Sequence, residues 1–403
     1  QSFTWAEWKR PMIVVILTFL CNVESTMLGI GEWSYMSTID HETTSSFFAF
    51  STALNKAGNA IFALVFAVWA HKISGIRIPM IAGRCITLVA CIMYIFIEFI
   101  PSNRRYWTMT VHFLFGVGSG TSPLLRSYIA RTTSDENRST AYALQIGAAV
   151  LSAIIAPIAQ ISFSGLPYPG VTIIEPNIKL NIYTAPIYFA VITNIVAIVL
   201  AIVSLEDPKD EFSVKSVSSN SFTFSSIRNR LSNIRSLNLP WILIILVIFE
   251  KVVSQLSMGA MGSISGPMFT AMYALTGEET VLVMGISQLL VGVIVLVLTS
   301  MFFICKLGKR VSCRILFVIS NIFAVLSYLI TYPFPFSSNP MQPFNETTRV
   351  GCNPQEYPWC DTQLVVNIIL FLITLIVTNS FAIPSGNMSL DTIYSKMIGN
   401  IDQ

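Results

Sequence analysis

Seven ionisable residues stand inside long apolar runs: Glu24, Lys56, Arg84, His112, Arg126, Glu250 and Lys251. At the centre of a bilayer each would cost at least about 2.5–3.5 kcal/mol on insertion scales, so each demands a partner or a wet cavity. A carboxyl or an imidazole in such a place can hold and release a proton. A guanidinium or an ammonium can pair with a carboxylate or hold an anion. Bond-breaking chemistry is not indicated. The three histidines are scattered and make no hydrolytic triad, and no His/Cys/Asp/Glu group has metal-ligand spacing. We expect no enzyme, no metal and no cofactor.

Glu24 and Lys56 each lie about 21 Å from the cytosolic end of their helices at about 1.5 Å per residue. They are expected to form an ion pair at matched depth, either structural or part of a gate. Arg84 and Arg126 lie near cytosolic ends. For Arg84 we expect the side chain to snorkel to headgroups; for Arg126 snorkelling and a functional role stay open. Glu250 stands near the middle of its run, as a proton site or a structural carboxyl, and Lys251 projects about 100° away from it. His112 is well inside a run, and a free imidazole pKa of about 6.5 would let it sense a mildly acidic compartment. Packing is its alternative role.

Long apolar elements must position these groups. Of 403 residues, 53% are hydrophobic and 11% charged, against about 25% charged in an ordinary soluble domain. That excludes a soluble enzyme, a disordered chain and a nucleic-acid binder. Crossing about 30 Å of hydrocarbon takes about 20 apolar residues, and ten such runs occur, at 11–31, 46–70, 78–100, 106–130, 140–163, 184–205, 240–262, 280–304, 313–333 and 363–387. They are continuous and about twice as long as a barrel strand, so the fold class is an all-α polytopic membrane protein. Residues 206–239 are rich in Ser and Asn with both signs of charge and read as a linker. The expected organisation is a six-helix half over 1–205, the linker, and a second half over 240–403 with four helices.

Lysine and arginine set the orientation. With the N-terminus in the cytosol, 16 of the 24 fall on the cytosolic side, 4 on the other, and 4 within the runs, a bias that fixes topology. The net charge of +3 points to no anionic partner. The last exoplasmic loop carries the sequon Asn345-Glu346-Thr347, the expected glycosylation site. It also carries Cys352 and Cys360, which are expected to pair in an oxidising lumen. The sequons at Asn137 and Asn387 are expected to stay unmodified. Gly116, Gly118 and Gly120 do not read as a nucleotide fingerprint, because no strand precedes them. With Pro123 they allow close helix approach or a movable break, and Gly259, Gly262, Gly266 and Pro267 imply a similar interruption of the seventh run.

Two basic, Gly-containing turns, His71–Arg77 and Lys306–Arg310, recur at equivalent places on either side of the linker. Repeated halves of this kind mark many secondary transporters. With these turns the chain resembles the major facilitator superfamily, although the acidic residue usual in the turn signature is absent. Phe115–Gly120 followed by Arg126-Ser127-Tyr128 is similar to the corresponding run of a lysosomal member of that superfamily. The likeness continues in Lys179–Thr184, Phe249-Glu250, Gly351-Cys352, Trp359-Cys360 and Tyr394–Gly399. His112 stands where the superfamily places an arginine, and ten runs stand where it has twelve, so two further helices are expected to be missing. The resemblance implies a two-half bundle that moves a small solute by alternating access, proton-linked, in a lysosomal or endosomal membrane. It puts Glu250 on a cavity helix, as the coupling group with His112 as modulator. It also allows an anion (chloride) channel, since chloride conduction is ascribed to the lysosomal relative; a non-transporting scaffold is the third reading. The expected partners are a small-molecule or ion substrate and the lipid bilayer, with the chain as a monomer.

Overall fold

The computed structural model describes residues 5–133, 135–174, 178–207, 241–304 and 311–398. The chain is an all-α polytopic membrane protein. Its helices are α1 (Trp5–Ile39), α2 (Ser45–Lys72), α3 (Arg77–Ile95), α4 (Arg104–Ser119), α5 (Ser122–Thr132), α6 (Asp135–Ser162) and α7 (Ala185–Ser204), then α8 (Trp241–Met272), α9 (Gly277–Ile304), α10 (Cys313–Ile330), α11 (Ile368–Val377) and α12 (Ile383–Ile398). Among the described residues, nine helical stretches are long and apolar enough to cross a membrane. The fourth expected run is present as α4 and α5, which are individually too short.

Several boundaries follow from local chemistry. After Pro11 in its second turn no proline interrupts α1 before Asp40-His41, so it runs eight residues past the expected end and buries Tyr35, Met36 and Ile39. Thr44 caps α2 by accepting from Phe47 N at 3.2 Å, and Asn367 caps α11 by accepting from Ile369 N at 2.9 Å. The fourth run breaks at Gly120-Thr121 and restarts with Pro123 in its first turn, where a missing N–H costs nothing. The seventh run is not interrupted as expected. α8 continues through Pro267, and a side chain at Gly259 or Gly262 would meet open space. A π-turn over Thr378–Ala382 joins α11 to α12 and carries the tenth rod past its expected end at 387.

A small antiparallel hairpin and a second antiparallel strand pair closed by a long loop, neither expected from the sequence, sit at one end of the bundle. β1 (Val171–Ile174) pairs with β2 (Ile178–Leu180), and β3 (Ser338–Pro340) pairs with β4 (Leu364–Val366). Gly170, at φ +84°, turns into the first of them, and a β-carbon there would collide with the Leu180 carbonyl. Cys352 and Cys360 form the expected disulfide, with α-carbons 5.6 Å apart. We call this the hairpin end.

At the opposite end Asp207, just past α7, accepts hydrogen bonds from Ile76 N at 2.7 Å and Arg77 N at 3.1 Å. No nearer side chain caps α3. A carboxylate at a helix N-terminus satisfies two orphan donors and meets the positive end of the dipole. The acid missing from the His71–Arg77 turn is thus supplied from 130 residues away. The second basic turn lies outside the described residues, as does the expected linker beyond Asp207.

Among the described residues, two large apolar cores hold α1–α7 together, beside a small one of Val23, Met27 and Ala156 between α1 and α6. One gathers Leu17, Phe66, Met80, Leu124 and Tyr128 near the Asp207 end; the other gathers Tyr35, Cys91, Tyr94, Phe115 and Ile187 near the hairpin end. α1 packs principally on α6 and α7, α2 on α4, and α3 on α4 and α7; α6 and α1 also pack on α9. Large apolar side chains such as Leu64, Val203 and Ile242 face outward, as a hydrocarbon solvent permits.

Candidate functional site

The first buried cluster is built on Glu24. Its Oε2 accepts from Asn194 Nδ2 at 2.7 Å and lies 3.4 Å from Arg84 Nη1, while Arg84 Nη2 donates to the Gly118 carbonyl at 3.2 Å. Glu24 and Arg84 are each 4% exposed. The expected Glu24–Lys56 pair is therefore replaced by Glu24–Arg84, and Lys56 is exposed. Arg84 does not snorkel. Sequence neighbours need not be packing neighbours: α1 turns its Glu24 face toward α3 and α7, whereas α2 lies against α4.

The second cluster surrounds His112, which is 1% exposed. Its Nδ1 is 2.8 Å from Ser51 Oγ, and its Nε2, which has no hydrogen-bond partner, is 3.9 Å from Glu32 Oε1. Asn55 Nδ2 donates to the His112 carbonyl at 2.8 Å and ties α2 to α4. Glu32 was missed by the sequence reading because the first run was ended at residue 31. The unbroken pattern up to Asp40 is the signal that would have found it.

Gly116 and Gly118 of α4 and Gly120 just past its end alternate between neighbours. A β-carbon at Gly116 would collide with the Asn55 carbonyl of α2, and one at Gly118 with Thr87 Oγ1 of α3. At Gly120 it would come within 2.9 Å of Ala63 N on α2. Close packing of α4 against two helices accounts for all three.

Between two groups of helices, α1–α7 and α8–α12, lies a half-open cavity of about 650 Å³, lined by Thr18, Asn22, Arg126, Gln145, Val291 and Val295 among others. Arg126 is exposed toward it and lies about 9 Å from the end of α5, so the cavity occupies the half of the bundle nearer Asp207. At the hairpin end the two groups are latched. Trp33 Nε1 donates to Thr270 Oγ1 at 3.2 Å and Tyr168 N donates to Glu278 Oε1 at 2.8 Å; within the second group, Gly351 N donates to the Thr270 carbonyl at 3.0 Å and ties the last loop to α8. The disulfide loop also walls a cavity of about 740 Å³ against Trp33, His41 and Thr43. Burial pushes the Tyr357 phenol of this loop up to about 12. Burial likewise raises the carboxyl of Glu98, just past α3, against the opposing pull of Lys179, Tyr35 and Arg104.

Glu250 does not face the cavity between the groups. It lines a groove with Phe317, Asn321 and Val325 of α10. Its neighbour Lys251 bonds Asp391 of α12 at 2.8 Å. Asp391 was missed because the tenth run was ended at 387. The rotation of α8 about its own axis decides which of two adjacent residues faces inward, and hydropathy does not report that angle.

Residues 14–392 match the family model of the Major Facilitator Superfamily. The Major facilitator superfamily domain-containing protein 8 of Xenopus laevis is 24% identical over 422 residues, covering 98% of this chain and 80% of that protein. Among solved structures, a D-xylose-proton symporter superposes with a TM-score of 0.62 at 11% identity, covering 95% of this chain and 81% of that one. The inward open xylose transporter XylE from E. coli gives 0.61 at 9% identity, covering 97% and 85%. An inward-facing, unoccupied bacterial homologue of the human lysosomal transporter Spinster gives 0.56 at 13%, covering 98% and 79%. At these identities the structural likeness is one of fold.

Proposed function

The chain belongs to the Major Facilitator Superfamily, and from that premise we propose that it moves a small solute by alternating access, linked to protons, across a lysosomal or endosomal membrane. The observation that carries this reading is the cavity between the helix groups together with the latches beyond it. A cavity on one side of a closed contact is what a rocking mechanism needs, since substrate must not see both sides at once. The charge bias of the sequence puts the Asp207 end in the cytosol, so this conformation faces inward. The disulfide and the exposed Asn345 then lie in the lumen, in keeping with an oxidising compartment.

For proton linkage the supporting geometry is Glu32–His112. A protonated Nε2 becomes a donor aimed at Glu32, and the 3.9 Å separation can close to a charge-assisted hydrogen bond. Ser51 holds the other nitrogen and so fixes the ring. The pair sits on α1 and α4, beside the Trp33 latch, where an acidic lumen would load the proton when that end opens.

The test is reconstitution into vesicles with an entrapped pH dye, offering labelled xylose, uridine and heptanesulfonate with and without an imposed pH gradient. Saturable, gradient-driven uptake of one probe is expected. Glu32→Gln should abolish the gradient dependence while leaving solute exchange intact. Loss of coupling in Glu250→Gln, with coupling kept in Glu32→Gln, would move the proton site to α8. A chloride current that ignores the gradient, with no saturable uptake, would overturn the transporter in favour of a channel.

Topology has its own check. Asn345 is exposed in the disulfide loop, whereas Asn137 and Asn387 sit within α6 and α12. Asn345→Gln should remove the whole glycosidase-sensitive mass shift. A remaining shift would reverse the proposed orientation.

A further inference from the structure

From the lining of the cavity between the helix groups we infer that its substrate is an amphiphilic organic monoanion: one carboxylate, sulfonate or phosphoester-type headgroup on an apolar body. This rests on the transporter reading and names the chemistry of that same site. Among the described residues, Arg126 is the one charged residue lining the cavity, and no carboxylate lines it. The other arginine nearby, Arg84, is buried and already answered by Glu24. An uncompensated guanidinium in a cavity with low-dielectric walls concentrates anions, and its planar fork matches a two-oxygen headgroup.

The two walls differ. α1 and α6 contribute Thr18, Asn22 and Gln145 on the side of Arg126, set among apolar residues such as Ile146 and Val150; α9 contributes Val291 and Val295 opposite, with no polar side chain beside them. Gln145 Nε2 donates to Thr18 Oγ1 at 3.2 Å, which ties the polar side chains of α6 and α1 together. Gly292 holds the apolar wall close: a β-carbon there would lie 2.9 Å from the Ala153 carbonyl of α6. A sugar would leave hydroxyls unpaired against the valines, which is costly. A bare chloride would leave most of about 650 Å³ unfilled, a volume in the range of small-molecule sites. A dianion would leave one charge unanswered.

Heptanesulfonate is a suitable probe because it stays ionised and does not cross bilayers as a neutral acid. With the full chain in nanodiscs and in vesicles, labelled heptanesulfonate should bind saturably and exchange by counterflow. It should do so about tenfold or more above heptyltrimethylammonium, and methanesulfonate should compete weakly. Arg126→Gln should lose binding by about tenfold or more, and Arg126→Lys should keep a substantial part of it, which separates charge from folding. Equal binding of the cation, equal competition by methanesulfonate, or unchanged binding in Arg126→Gln would each overturn the assignment. Sulfonate binding without counterflow would uphold the anion site and refute alternating access. Counterflow of xylose or uridine without sulfonate binding would do the reverse.

Discussion

Arg84→Met is expected to destabilise the protein by about 3–5 kcal/mol, because it leaves the Glu24 carboxylate buried with only the Asn194 amide for company. Glu24→Gln should cost a similar amount by stranding the guanidinium, which would keep only the Gly118 carbonyl. The Glu24→Gln/Arg84→Met double variant removes both charges and should recover much of the loss. Lys56→Met, on an exposed side chain, should stay within about 0.5 kcal/mol of the parent. Denaturant titration of the four proteins in detergent gives the double-mutant cycle directly. Additive losses would show that Glu24 and Arg84 do not support each other; a loss at Lys56 would return Glu24 to its sequence neighbour.

The glycines of α4 give the second large effect. Gly118→Ala should cost about 1–3 kcal/mol through overpacking on α3. Part of that should return in a Thr87→Ala background, since the first atom struck is a side-chain oxygen. Gly116→Ala should cost at least as much and have no comparable rescue, because the atom it strikes is the Asn55 backbone carbonyl. Thermal unfolding of the five proteins, with transport measured alongside, tests both statements. Transport that falls in step with stability assigns these residues to packing. Transport lost at unchanged stability would assign them to gating and overturn the packing account.

Much of the membrane architecture was legible because it is local. An apolar run long enough to span hydrocarbon forms a helix there irrespective of its neighbours, since every backbone donor must be satisfied within the segment. The runs, the weak break near Pro123 and the Cys352–Cys360 pair could be read for that reason. Helix ends were less legible. α1 and the α11–α12 rod outrun their apolar stretches, and with those extra turns come Glu32 and Asp391. Arg126 was recognised as a candidate, but nothing in its own segment says that the facing wall is made of Val291 and Val295.

What the sequence by itself determined is which residues cannot stay alone: the cost of Glu24, Arg84 or His112 in a bilayer belongs to each residue separately. Which partner answers each one was decided only by the tertiary structure. Glu24 meets Arg84 and Asn194 because α1, α3 and α7 converge at that depth; His112 meets Ser51 because glycines let α4 close on α2, and Glu32 because α1 also packs on α4. Asp207 reaches the first turn of α3 across 130 residues of chain, and Glu250 turns to α10 while Lys251 turns to Asp391. These are matters of helix rotation and neighbour choice. Hydropathy measures how much of a segment is apolar, and it carries no record of the direction in which a polar side chain finally points.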